Sequence, residues 1–288
     1  MKIGEYVEWE YRGWRFGAWS TLGVEKERKS KVVVAFHGFD RHADEMGSFE
    51  PLYDLDTQML SVSLVHHGSS IPLAPLDKRT ALSPELLMEA IESYIDSAET
   101  KIELLGYSMG GRIALTLFER FPEKFSRVIV LATDGLKMGK LYKFVVNTKL
   151  GKITWGLIDK FPKTNRKFID LLRSLRLISE HKHHFGRFHT DNHDIRQRVA
   201  YGWASHREFW PQENKLAELL RHKSSEKCPV FFIFGDRDKI IPMNWSLPLQ
   251  KELKGVKNNV FFIEISSGHV MRHKSTVISI VNAINSVT

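Results

Sequence analysis

Short apolar runs recur along the 288-residue chain, and most end in glycine or histidine. Tyr6–Glu10 and Trp14–Trp19 flank Tyr11-Arg12-Gly13, which predicts a hairpin. Lys31–Phe36 (KVVVAF), Leu60–Val65 (LSVSLV), Lys101–Leu105 (KIELL), Arg127–Ala132 (RVIVLA), Pro229–Phe234 (PVFFIF) and Val260–Ile265 (VFFIEI) are the remaining strand candidates. Continuous apolar runs of this length suit strands buried on both faces. Helical periodicity fills the gaps between them. Ser83 is the expected N-cap of one helix, with Pro84 at its first position. Ile113, Ala114, Leu117, Phe118 and Phe121 share one face of another, which Pro122 stops. Further helices are expected around Glu213–His222 and over Ser275–Val287. The alternation predicts an α/β fold with a mostly parallel central sheet flanked by helices. Right-handed crossovers then gather the C-terminal strand ends on one edge, where ligands bind in such sheets.

The middle of the chain has another character. From Leu136 to Trp210 the pattern is helical, basic and aromatic, with no strand. Candidate helices cover Lys140–Thr148, Ile153–Phe161, Thr164–Leu177 and His193–His206. This segment carries 16 Lys and Arg against 6 Asp and Glu, so it holds all of the excess behind the chain's formal net charge of +8. The expected organisation is a core of residues 1–135 and 211–288 with a helical insertion at 136–210. Lys and Arg there either solvate the outer faces of amphipathic helices or attract an anionic substrate or surface. Trp155, Phe185, Phe188, Trp203, Phe209 and Trp210 either pack inward or line an apolar pocket.

Composition narrows the class. Hydrophobic residues at 42% and charged residues at 26% are ordinary for a globular protein. No apolar run approaches the ~20 residues of a membrane span. The opening residues are polar and acidic, unlike a secretory leader, so a cytoplasmic location is expected. Cys228 is the lone cysteine, so no internal disulfide is possible, and a packed thiol is expected. His181, His183, His184, His189, Asp191 and His193 form a conspicuous cluster. Interleaved Lys182 and Arg187 oppose a metal ion there, and a solvated loop is the expectation. Charge alone supports no nucleic-acid site, and no motif adds to it.

The chemistry concentrates after the strand Lys101–Leu105. Gly106-Tyr107-Ser108-Met109-Gly110-Gly111 contains G-x-S-x-G between a strand and a helix, the context of a nucleophile elbow. A sharp turn of this kind brings backbones too close for side chains two residues either side of the serine. The serine is then held in a strained conformation, with the helix N-terminus favouring negative charge beneath it.

Five ordered signatures extend the pattern: His37-Gly38-Phe39, His67-Gly68-Ser69-Ser70, the elbow at Ser108, Phe234-Gly235-Asp236-Arg237-Asp238 with Pro242, and Gly268-His269. Together they resemble the α/β-hydrolase superfamily, in its esterase- and lipase-like branch with a helical cap. The resemblance implies Ser108 as nucleophile, His269 as general base and Asp238 as the acid that orients it. Asp236 and Asp134 are the competing acids, and His37, His66 and His67 fall in signatures where histidines are structural. It further implies an oxyanion hole from the backbone N–H groups of Phe39 and Met109, with no cofactor or metal. The expected reaction is hydrolysis of a carboxylic ester or related acyl bond in a small-molecule substrate, anionic or lipid-like. Thioesterase, C–C hydrolase, lactonase or acyltransferase chemistry shares the same triad. A non-catalytic binding protein on the same fold is the alternative class. One departure stands out. The family's Asp-x-x-Gly-His-Gly-x-Ser reads here with Ser63 and His66 in place of Asp and the first Gly.

Overall fold

A computed structural model describes residues 4–22, 31–95, 101–221, 228–255 and 259–287. The expected hairpin forms from β1 (Glu5–Tyr11) and β2 (Trp14–Ser20), paired from Tyr11↔Trp14 to Glu5↔Ser20. Arg12 and Gly13 make its turn at φ 44° and 81°. Positive φ at both positions matches the turn to the strands' right-handed twist.

Six strands then run parallel: β3 (Lys31–Phe36), β4 (Thr57–Val62), β6 (Lys101–Tyr107), β7 (Phe125–Leu131), β8 (Val230–Gly235) and β9 (Val260–Ile265). With the two-residue β5 (Ile71–Pro72) beside β2, they give a nine-stranded sheet in the order β1-β2-β4-β3-β6-β7-β8-β9. β3 and β8 are buried on both faces for nearly their whole length, as their unbroken apolar sequences require. The helical turn Ala43–Leu52 and the C-terminal helix (Lys274–Asn285) cover one face. Met46, Phe49, Val277 and Ile280 pack there against Val33, Ala35, Leu105 and Ile233. α1 (Pro84–Ile95) and α2 (Met109–Arg120) lie together on the other. Ser83 caps α1 as expected, its hydroxyl accepting from the N–H of Leu86 at 3.1 Å.

One strand lies three residues earlier than its sequence suggests. The expected Leu60–Val65 is observed at Thr57–Val62. Polar Thr57 and Gln58 hide its start, although both are buried. At the other end Leu64 has left the ladder, and its N–H donates to His37 Nε2 at 3.1 Å.

The chain divides into two compact units, one of 1–76, 82–137 and 208–288, the other of Asp77–Ala81 and Met138–Arg207. The stretch Asp77–Ala81 was not marked by the sequence pattern. Phe209, fully buried, and Trp210 fall within the first unit.

The second unit holds α3 (Lys140–Asn147), α4 (Lys149–Lys160), α5 (Pro162–Ser174), α6 (Glu180–Asp191) and α7 (His193–Gln197). A wider π turn, Arg198–Gly202, and the short α8 (Trp203–Ser205) follow. The single helix expected over His193–His206 is therefore interrupted. The expected loop around the histidine cluster is instead helix α6. Its polar sequence is held by ion pairs: Asp170 of α5 accepts from Arg187 at 2.7 Å and from His183 at 2.8 Å. The side chains of His181, Lys182, Phe185 and His189 lie outside the described set. Among the described residues no helix is long and apolar enough to cross a membrane, and no cluster has the arrangement of a metal site.

Backbones pack closely where α2 meets the sheet. A Cβ on Gly106 would sit 2.5 Å from the Cα of Gly111, and one on Gly110 would overlap the carbonyl group of Phe36. Gly110→Ala should cost ~1–3 kcal/mol of stability or more through overpacking. Urea unfolding followed by circular dichroism tests this, and an unchanged midpoint would contradict the crowding.

Candidate active site

Ser108 joins the end of β6 to the start of α2 at φ 53°, ψ −117°. A non-glycine residue with positive φ carries strain of order 1–3 kcal/mol and persists only where its surroundings fix it. Here they do. The Ser108 N–H donates to Leu131 O at 2.9 Å, and its carbonyl accepts from Gly111 and Asp134, each at 3.0 Å. The glycines let α2 begin at once, so the Ser108 side chain stands half-buried at the C-terminal sheet edge.

His269 comes from the loop after β9. Its Nε2 lies 3.1 Å from Ser108 Oγ, and its Nδ1 lies 2.7 Å from Asp238 Oδ2. A carboxylate can only accept, so Nδ1 carries the proton and Nε2 presents its lone pair to the serine hydroxyl. Asp238 is buried, and its other oxygen accepts from the N–H groups of Ile240 at 2.8 Å and Ile241 at 2.9 Å. Burial pushes this carboxyl up, but the hydrogen bonds from His269, Ile241 and Ile240 outweigh it and hold the group below its ordinary range.

The structure thus brings Ser108, His269 and Asp238 into one hydrogen-bonded chain and leaves both competing acids outside it. Asp236 laces the two loops together, accepting from the Ser267 N–H at 2.9 Å while its own N–H donates to Ile265 O at 2.9 Å. Gly235 permits this approach, since a Cβ there would meet the carbonyl oxygens of Ser267 and Gly268. Asp134 faces Arg112, 3.3 Å away, and accepts from the Gly135 N–H at 2.8 Å. Arg112 is almost wholly buried and lies against the Trp210 ring, 4.8 Å from its centroid.

Phe39 follows Gly38 in the loop after β3, and a Cβ on Gly38 would lie 3.3 Å from Ser108 Cβ. Met109 is the first residue of α2, where N–H groups have no carbonyl one turn earlier to bind. His37 and His67 position the Phe39 loop. His37 Nδ1 lies 2.7 Å from Gly38 O while Nε2 accepts from Leu64, so both nitrogens are committed. Burial, with the nearby His67, lowers its pKa to about 3 and keeps it neutral. His67 Nε2 accepts from the Asp40 N–H at 3.0 Å. His66, where the family has glycine, adopts φ 65°, so the left-handed turn survives the substitution. Its N–H closes the loop onto Ser70 O at 2.7 Å.

Sequence reading missed Tyr107. Its hydroxyl donates to the backbone carbonyl of His269 at 2.9 Å, and its ring lies 5.5 Å from the imidazole, centroid to centroid. Burial pushes the phenol up to about 12, so it stays a donor at neutral pH.

Asp238 also ties the site to stability. Its carboxyl binds a proton less readily folded than unfolded. Its ionisation therefore contributes stability that is complete above the unfolded value, about 4, and is lost as pH falls through the lower folded value. Asp238→Asn should destabilise the protein at neutral pH and flatten the dependence of its unfolding midpoint below about pH 4. A dependence identical to wild type in acid titrations of urea unfolding would contradict this.

Comparison with known proteins agrees with this architecture. Over 238 residues the chain is 26% identical to a pimeloyl-[acyl-carrier protein] methyl ester esterase of Neisseria meningitidis, covering 80% of this chain and 86% of that protein. Over 251 residues it is 23% identical to a 2-hydroxy-6-oxononadienedioate/2-hydroxy-6-oxononatrienedioate hydrolase of Escherichia coli, covering 80% and 79%. A shorter match, 27% over 114 residues, is to a Bacillus subtilis protein named as a 2-succinyl-6-hydroxy-2,4-cyclohexadiene-1-carboxylate synthase, and spans only 40% of its length. Among solved structures, an α/β hydrolase from a Medee basin deep-sea metagenome superposes with a TM-score of 0.63 at 15% identity, over 97% of both chains. The profile of the α/β hydrolase fold matches residues 98–271, and the chain belongs to that family.

Proposed function

We propose that the chain is a serine hydrolase cleaving a carboxylic ester or a related acyl bond, with the 136–210 segment as its cap. The hydrogen-bonded chain Ser108–His269–Asp238, ending on a serine at φ 53°, carries this reading. A hydroxyl is a poor nucleophile until a base takes its proton. His269 Nε2 would accept that proton as Ser108 Oγ attacks the acyl carbonyl, and Asp238 would stabilise the imidazolium. The tetrahedral intermediate would place its oxyanion on the N–H groups of Met109 and Phe39. Donors of this kind typically contribute ~3–4 kcal/mol each to the transition state. His269 would then return the proton to the departing alkoxide, leaving an acyl-enzyme. Water activated by the same imidazole would release the acid and regenerate Ser108.

Two matched relatives, a methyl ester esterase and a hydrolase of an oxo-dienedioate, both carry the names of hydrolytic enzymes, which lends support to a hydrolytic reaction. Tyr107 acts on the base as a positioning residue through its bond to His269.

Hydrolysis of p-nitrophenyl butyrate tests the proposal. Ser108→Ala should lower kcat by about 1,000-fold or more. Equal rates for the two proteins would overturn the assignment and favour a non-catalytic binding protein. Tyr107→Phe should lower kcat several-fold with KM within about 2-fold, since it touches the base and not the substrate. An unchanged kcat would remove Tyr107 from the machinery.

A further inference from the structure

Seventeen large apolar side chains are strongly exposed among the described residues, and ten of them fall between Phe144 and Phe188. They are ordered rather than scattered. On α4, Leu150, Ile153 and Leu157 are 51–64% exposed, and Phe161, just past the end of the helix, is 49% exposed. At 100° per residue the three helical positions occupy one arc of about 60°. Phe168 and Leu171 on α5, with Leu175 at its C-terminal end, repeat the pattern at 52–58% exposure.

These stripes are not the faces that hold the helices in place. α4 packs inward through Gly151 and Trp155, whose indole N–H donates to Arg196 O at 3.3 Å. α5 buries no residue and is held by the ion pairs of Asp170 with α6. An exposed apolar face beyond what internal packing uses marks an interaction surface.

The charge around the stripes selects the occupant. Residues 144–188 contain ten Lys and Arg against three Asp and Glu. Lys149 and Lys160 are exposed on one flank of the α4 stripe, and Lys163 and Lys167 are exposed beside that of α5. Long basic side chains can bury their stems while their ammonium groups reach a headgroup layer. Joining two copies through this face would set like charge against like. An anionic lipid surface offers the opposite charge together with an apolar interior. At 12 and 13 residues the two helices are too short to span a bilayer, and their geometry suits lying in its interface.

We propose that α4 and α5 form a peripheral docking surface for anionic lipid, with the Leu150–Phe161 and Phe168–Leu175 stripes immersed and the flanking lysines at the headgroups. The proposal stands independently of the hydrolase reading, and its readout is binding rather than turnover.

Co-sedimentation of the full chain with vesicles tests it. Wild type should pellet with equal parts phosphatidylcholine and phosphatidylglycerol and remain in the supernatant with phosphatidylcholine alone. Binding should weaken steeply as salt shortens the Debye length below about 8 Å. A variant combining Leu150→Gln, Ile153→Gln and Leu157→Gln should bind at least ~10-fold more weakly, as should one combining Lys149→Gln, Lys160→Gln and Lys167→Gln. All six positions are exposed or flank the stripes, so circular dichroism and turnover of a water-soluble ester should match wild type. Absence of wild-type binding, equal binding to neutral vesicles, or unaltered binding by both variants would overturn the proposal. So would a wild-type dimer in sedimentation velocity that the leucine variant converts to monomer, since a second copy would then cover the face.

Discussion

The approach of α2 to the ends of β3 and β6 sets the geometry of the whole C-terminal sheet edge. Gly106 and Gly110 occupy space that a single methyl group would fill with overlapping backbone. The resulting turn holds Ser108 in a conformation that isolated residues avoid, at φ 53°. The strain is held by the bonds of Ser108 to Leu131 at the end of β7, to Asp134 in the loop beyond it and to Gly111 in α2. The apolar sheet core is therefore what keeps one polar side chain aimed outward.

The partners of Ser108 depend on a second constraint, the register of β8 against β9. β9 is an edge strand and mostly half-buried. Phe231 stacks on Phe261 and Phe232 on Phe262, at centroid distances of 5.0 and 4.8 Å. Such pairs are worth ~0.5–1.5 kcal/mol each beyond their burial. They fix the register that delivers the following loops, which Asp236 then ties together. A slip of one residue would reverse the faces of β9 and carry His269 away from Asp238. His37 and His67 hold the Phe39 loop in the same way, by committing ring nitrogens to backbone N–H groups. Four polar side chains that look chemical in the sequence thus have distinct physical duties: Asp134 answers a buried arginine, Asp236 laces two loops, and His37 and His67 shape a third.

Much of this was legible because the chemistry follows strand ends. The runs at Lys101, Val230 and Val260 announce themselves by unbroken apolar sequence, and Ser108, Asp238 and His269 lie just beyond them. The strand Thr57–Val62 was harder, since Thr57 and Gln58 are polar yet buried. The sequence of helix α6 suggests a loop because its ties run to Asp170, ten residues before it, rather than showing as an apolar pattern of its own. Tyr107 carried no signal at all. Its link to His269 spans 162 positions and exists only once β6 and the loop after β9 are neighbours. His66 shows the converse: a broken motif with preserved geometry, because a non-glycine residue can accept the left-handed turn at a cost of ~1–2 kcal/mol.

The first unit carries the proposed reaction at its sheet edge, and the second carries the basic and apolar face proposed for lipid. The central claim is that Ser108 is a nucleophile activated by His269. Its most direct test is mass mapping after treatment with a fluorophosphonate. One covalent adduct is expected, on the peptide containing Ser108, with labelling strongly slowed in His269→Ala. No adduct, an adduct on another residue, or labelling indifferent to His269 would contradict it.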